Sequence, residues 1–170
     1  TFTEDCRKLL VANEGEPDDG IDPPGSVSIV DLRRGRVTTA DFSRFDRRAE
    51  ALRRDGVRLF PGKLPSTDFE PEYIAVAPNG RKAWATLQEA NAVAVVDIAR
   101  GKITDIVPLG LKDHSRRGNE LDASDEDGVI NISTWPLTGM YMPDAIGSYR
   151  GLGKGGTFYV TANEGDARDA

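Results

Sequence analysis

Short apolar runs cut by turn signals about every eight to twelve residues dominate the middle of the chain, the spacing of an antiparallel all-β protein. Tyr73-Ile-Ala-Val-Ala77 reads as a first strand, Lys82 to Gln88 as a second, Ala92-Val-Ala-Val-Val-Asp-Ile98 as a third and Ile103 to Leu109 as a fourth. Pro78-Asn-Gly-Arg81 and Ala99-Arg-Gly-Lys102 supply tight turns, and Glu89-Ala-Asn91 a break. Gly80 can take the positive φ such a turn requires. Four strands joined this way form a meander, and a recurring four-stranded meander is the blade of a β-propeller.

The pattern recurs. Lys8 to Asn13 aligns with the second strand, Ser26 to Leu32 with the third, and Val37 to Ala40 with the start of the fourth. Met142-Pro-Asp-Ala-Ile146 parallels Glu70-Pro-Glu-Tyr-Ile74, and Gly156 to Ala162 supplies a further strand. Val11-Ala-Asn-Glu-Gly-Glu16, Thr86-Leu-Gln-Glu-Ala-Asn91 and Thr161-Ala-Asn-Glu-Gly-Asp166 place Glu14, Glu89 and Glu164 at an equal interval of 75 residues. A fixed period means one supersecondary unit copied and stacked. The expected fold is all-β, a fragment of a β-propeller: about two four-stranded antiparallel blades plus the start of a third, with one short helix insert. The units are residues 1–69, 70–141 and, incomplete, 142–170. Both ends read as cut. Closing the ring needs the remaining blades of a longer chain or other copies, because open strand edges invite aggregation.

Two segments break the pattern. Ser43 to Gly56 reads as a short helix, capped by Ser43, ended by Gly56, with Phe45, Ala49 and Leu52 on one face. Arg47, Arg48, Arg53 and Arg54 then form its solvated side. Gly110 to Tyr141 is a long loop without clear periodicity, a length that marks function or disorder.

Composition narrows the classes. Among 170 residues, 38% are hydrophobic, and 18 glycines and 10 prolines fit short strands and turns. The net charge of −6 and the scatter of the arginines along the sequence argue against nucleic acid as a partner. Cys6 is the only cysteine, so neither an internal disulfide nor a thiolate cluster exists. No stretch reads as a transmembrane span or a signal peptide.

The segment from Glu70 to Ile98 resembles the YVTN-type propeller repeat. The signatures VANEGEP, EPEYIAV, TLQEANA, LGLKDHS, LDASDEDGVINI, PDAI and VTANEGDARD resemble the choice-of-anchor I family of bacterial secreted and surface proteins, over nearly the whole chain. The resemblance implies a β-propeller of roughly seven blades in a complete protein, located extracellularly, at the cell surface or in the periplasm. It brings no settled activity, although relatives sit beside phosphoesterase domains.

In a propeller the loop before a first strand and the loop after a second strand open on one face. Glu70, Glu72 and Asp144 precede first strands; Glu14, Glu16, Glu89, Glu164 and Asp166 follow second strands. One mouth is therefore expected to be acidic, and crowded carboxylates raise one another's pKa until a cation or basic partner neutralises them. The alternative is that these are turn residues bonded to neighbouring backbone. Asp122, Asp125, Asp127 and Asn131 resemble the middle of a Ca²⁺ loop, with oxygen ligands two apart and Gly128 for the bend. The match is incomplete, since Ala123 stands where the first Asp belongs and Thr134 where the bidentate Glu belongs; a structural acidic turn competes with it.

His114, the only histidine, lies in the long insert and reads as exposed and structural. Gly151-Leu-Gly-Lys-Gly-Gly156 reads as a hairpin loop rather than a phosphate cradle. Trp84, Trp135, Tyr141 and Tyr149 read as blade packing. No nucleotide or haem signature occurs, and no catalytic residue is identified. The leading reading is a non-enzymatic exported module that binds a protein, glycan or small ligand through a Ca²⁺-stabilised acidic face. A metal-dependent, phytase-like phosphoesterase is the alternative, because clustered carboxylates can hold metals that activate water. A bare scaffold is the third reading.

Overall fold

A computed structural model describes residues 1–17, 21–152 and 156–164. Three antiparallel sheets stand side by side as successive blades. The first is β1 (Lys8–Asn13), β2 (Ser26–Asp31) and β3 (Arg36–Asp41), paired in that order. The second is β4 (Pro71–Val76), β5 (Lys82–Leu87), β6 (Ala92–Asp97) and β7 (Lys102–Pro108), a complete four-stranded meander. The third is the hairpin β12 (Pro143–Arg150) and β13 (Thr157–Asn163). Thr1–Thr3 take the first-strand place of the first blade. Leu10 N–H donates to the Thr1 carbonyl (2.8 Å) and Thr3 N–H to Lys8 (3.0 Å), as Ala77 N–H donates to Lys82 (2.8 Å) one blade later.

The middle blade is buried on both faces. Ala83, Ala85 and Leu87 of β5 and Ala92, Ala94 and Val96 of β6 join Leu10, Val27, Ile29 and Ala40 of the first blade in one core. Alternate residues face the other way: Ala75, Val93 and Trp84 meet Ile146 and Tyr159 of the third blade in a second cluster. Trp84 stacks on Tyr159 with ring centroids 4.3 Å apart, and the Ser148 hydroxyl donates to the Val76 carbonyl (2.6 Å), joining neighbouring first strands. The outward faces stay open. Val11 and Val37 on one side, and Tyr149, Phe158 and Val160 on the other, are exposed, the last two pairing apolar surface with a free sheet face.

The first insert differs in detail from the sequence expectation. Phe45, Ala49 and Leu52 are buried as the periodicity requires, and Gly56 ends the helix at φ 98°. The segment opens as a 3₁₀ turn, Ser43–Arg48, before α1 (Ala49–Arg54), and Ser43 does not cap it: its hydroxyl donates to Asp41 (2.6 Å). A second short helix, α2 (Pro65–Asp68), follows, and Asp46 accepts from the Ser66 amide (2.9 Å) at its start. Arg53 is not simply solvated. It bonds Glu50 (2.7 Å) and the carbonyls of Phe60 and Lys63, tying helix to loop.

The second insert is not a structureless loop. β8 (Leu111–Asp113) pairs with β11 (Thr138–Met140), and β9 (Leu121–Asp122) with β10 (Ile132–Ser133), making two short ladders along one projecting arm. Its root is held by Asn91, which is 1% exposed and sits at φ 49°. The Asn91 side chain donates to Gly110 (2.9 Å) and accepts from the amides of Tyr141 (2.9 Å) and Met142 (3.2 Å), clasping both ends of the arm. Asn91→Ala strands these buried groups, and a loss of about 2–4 kcal/mol in chemical denaturation is expected. Asn91→Gly loses the same bonds but accepts the positive φ, so it should fall about 1 kcal/mol less far.

Candidate functional site

The end of the blades that carries the loops between second and third strands, and between successive blades, bears Glu14, Glu72, Glu89, Asp144 and Glu164. First strands enter it through a β-bulge that recurs: the ladder slips between Pro71 and Ile74 against β5, and again between Pro143 and Ile146 against β13. Glu72 and Asp144 sit inside these two bulges, the device that re-aims a side chain at a sheet end. Thr86, fully buried, fixes the first bulge by accepting from the Tyr73 amide (3.0 Å).

Glu72 is the electrostatic focus. Burial pushes its carboxyl up to about 8, and Glu89, Glu14, Asp144 and Glu164 push it in the same direction. Carboxylates from all three blades thus bear on one group, which is the mutual repulsion expected of an acidic mouth. The strict sequence interval is off by one residue in the ladder. Asn13 pairs at the end of β1 as Leu87 does at the end of β5 and Asn163 at the end of β13, so Gln88, not Glu89, is the positional counterpart of Glu14 and Glu164. The Gln88 amide donates to Glu164 (3.3 Å), while Glu89 stands one step further round a tight turn. The Glu89 and Ala90 carbonyls accept from Arg58 (3.1 and 2.9 Å), which anchors that turn to the first insert.

The other acidic candidates divide. Glu16 is exposed in the loop after β1, and Glu70 is buried, 5% exposed, at the entry to β4. Asp166 lies outside the described residues. Asp122, Asp125, Asp127 and Asn131 all lie on the tip of the arm. There Asp122 accepts from the Asn131 amide (2.9 Å) and Asp127 from the Val129 amide (3.1 Å), so two of the carboxylates hold the loop's own backbone. Among the described residues, no three or more His, Cys, Asp or Glu side chains are arranged to hold a metal ion.

His114 is buried, against expectation, because the arm folds. Its Nδ1 donates to the Asn119 carbonyl (2.6 Å) and its ring lies against Gly139, where an added Cβ would sit 2.8 Å from Nε2. These contacts brace the root of the arm. The glycine-rich stretch closes a hairpin, with the Gly151 amide donating to Gly156 (2.9 Å); Gly153 to Gly155 lie outside the described residues. Trp84 packs between blades, but Trp135 braces the arm through the Leu121 carbonyl (3.0 Å), and Tyr149 stacks on Phe158 within one hairpin. Sequence reasoning passed over Asn91, whose signal was an Asn at the αL position of a two-strand turn, and the bulges, whose signal was the shared Pro-acid entry at Pro71-Glu72 and Pro143-Asp144.

Comparison with known proteins adds a family. No curated protein matches this sequence. Among solved structures, hydrazine synthase of Kuenenia stuttgartiensis aligns at 18% identity and a TM-score of 0.42, over 86% of this chain and 24% of that one. This chain therefore spans under a third of that protein's length. The family model for the choice-of-anchor I domain matches residues 1–170. The chain belongs to the choice-of-anchor I family.

Proposed function

We propose that this chain is part of an exported bacterial β-propeller that acts as a binding module and seats a cationic group across its acidic mouth. Family membership implies a bacterial extracellular or surface protein, and no helix among the described residues is long and apolar enough to cross a membrane. The observation that carries the proposal is that Glu89, Glu14, Asp144 and Glu164, drawn from three blades, all act electrostatically on Glu72. Keeping like charges together costs stability unless something positive offsets them. Among the described residues the carboxylates crowd one another without forming a ligand cage, an arrangement suited to a ligand ammonium or guanidinium, or a partly hydrated Ca²⁺. The partner class stays a protein, glycan or small molecule bearing positive charge.

Thermal melts with millimolar Ca²⁺ or with an oligolysine peptide test this through linkage, since a ligand of the folded state raises Tm. A rise with at least one of them, abolished by Glu14→Gln/Asp144→Gln, is expected; no shift with either, against a chelator control, removes the proposal. The rise should be larger at about pH 8.5 than at about pH 6, because bound cation must compete with the proton on Glu72.

The same group sets a pH dependence without ligand. The folded protein holds the Glu72 proton up to about pH 8, whereas the unfolded chain releases it near 4.5. Between those values the folded state binds more protons, so stability falls as pH rises through the window. Glu72→Gln should flatten that slope in urea titrations, and an unchanged slope would show that Glu72 is not the group responsible.

A further inference from the structure

The opposite end of the blades, formed by the turns between first and second and between third and fourth strands, carries the reverse charge. The turns from β2 to β3 and from β6 to β7 are built alike. Asp31 accepts from the amides of Arg33 and Arg34 (3.1 Å each) and Asp97 from that of Arg100 (2.9 Å), while Gly35 and Gly101 both sit at φ 62°. Capping and the left-handed residue explain the Asp and the Gly of each turn. They do not explain why Gly35 is flanked by Arg34 and Arg36, and Gly101 by Arg100 and Lys102. Arg81 and Lys82 add to the same end from the turn before β5.

These cations are exposed, and three of their four acidic neighbours are already engaged, the fourth being the exposed Glu4 in the wall of the larger hollow. Asp31 is spent on the turn amides, Asp97 on its own turn and on Arg100 (3.7 Å), and Asp5 on Thr3, Arg7 and the Arg7 amide. Among the described residues, Arg33, Arg34, Arg36, Arg81, Lys82 and Lys102 form no ion pair. Arg33, Arg34, Arg36 and Arg100 border two adjoining hollows of about 960 and 180 Å³ at the seam of the first and second blades, which share Lys8, Asp31, Arg34 and Ala99 in their walls. The hollows contain no aromatic side chain, so they offer no platform on which bases stack.

We infer that this basic seam binds a linear polyanion other than nucleic acid, whose successive phosphate groups lie along the groove between the Arg33–Arg36 and Arg100–Lys102 turns. Guanidinium forks match phosphate oxygens in pairs. A groove with charged banks accepts a slender chain along its length, whereas a flat bilayer would meet only the banks. The inference is independent of the acidic mouth at the other end.

Fluorescently labelled long-chain inorganic polyphosphate is the probe, with single-stranded DNA and phosphatidylglycerol vesicles as the comparison arms. Polyphosphate binding should weaken more than roughly tenfold between low and moderate salt, as counterion release dictates for several phosphate contacts. Arg33→Ala/Arg34→Ala/Arg36→Ala should weaken it at least tenfold, and Arg100→Ala/Lys102→Ala, on the other bank, should do the same. Arg47→Ala/Arg54→Ala, in residues that line neither hollow, should leave it unchanged, and melts of each variant should confirm an intact fold. Absent binding, binding indifferent to both seam variants, or equal or tighter binding of the DNA or the vesicles would overturn the inference.

Discussion

The double-sided burial of the middle blade is the constraint on which the rest depends. β6 offers Ala92, Ala94 and Val96 to one neighbour and Val93 to the other, with only its last residue half open. Small side chains on one face meet the first blade, while the Trp84–Tyr159 stack fills the second seam. With both faces committed, the register of β4 to β7 cannot slip, since a shift of one residue would exchange the two cores. The adjacent blades inherit that register. Loop ends that are far apart in sequence are therefore brought to the same end of the molecule.

That alignment sorts charge. Glu14, Glu89 and Glu164, which follow second strands, act together with Asp144 on Glu72, and the repeated bulges contain Glu72 and Asp144. Arginines and lysines of the other turns collect at the opposite end. A chain of net charge −6 thereby becomes a bipolar object, with Glu72 pushed up to about 8 at one pole and, at the other, guanidinium groups that form no ion pair among the described residues. Net charge alone describes neither surface.

The loops that carry these charges are themselves fastened. Asn91 grips both ends of the arm, Arg58 holds the turn that bears Glu89, and Gly25 brings its backbone against the Phe69 carbonyl and Pro71 so closely that no side chain fits there. Gly25 occupies, ahead of β2, the place that Asn91 occupies ahead of β6. The position requires close backbone approach in one blade and a polar clasp in the next. Variable loops on a rigid sheet scaffold are the usual location of binding functions.

The sequence by itself determined the strands of the middle blade, the copying of that unit and the buried face of the first helix, because period-two patterning and turn residues act locally. It did not determine the one-residue offset that puts Gln88 in the place of a glutamate, the folded arm that buries His114, or the gathering of the basic turns. Arg34, Arg36, Arg100 and Lys102 look scattered along the chain; only the stacking of one sheet on the next makes them neighbours. Such relations rest on contacts between residues far apart in sequence, and those contacts exist only once the blades have closed on one another.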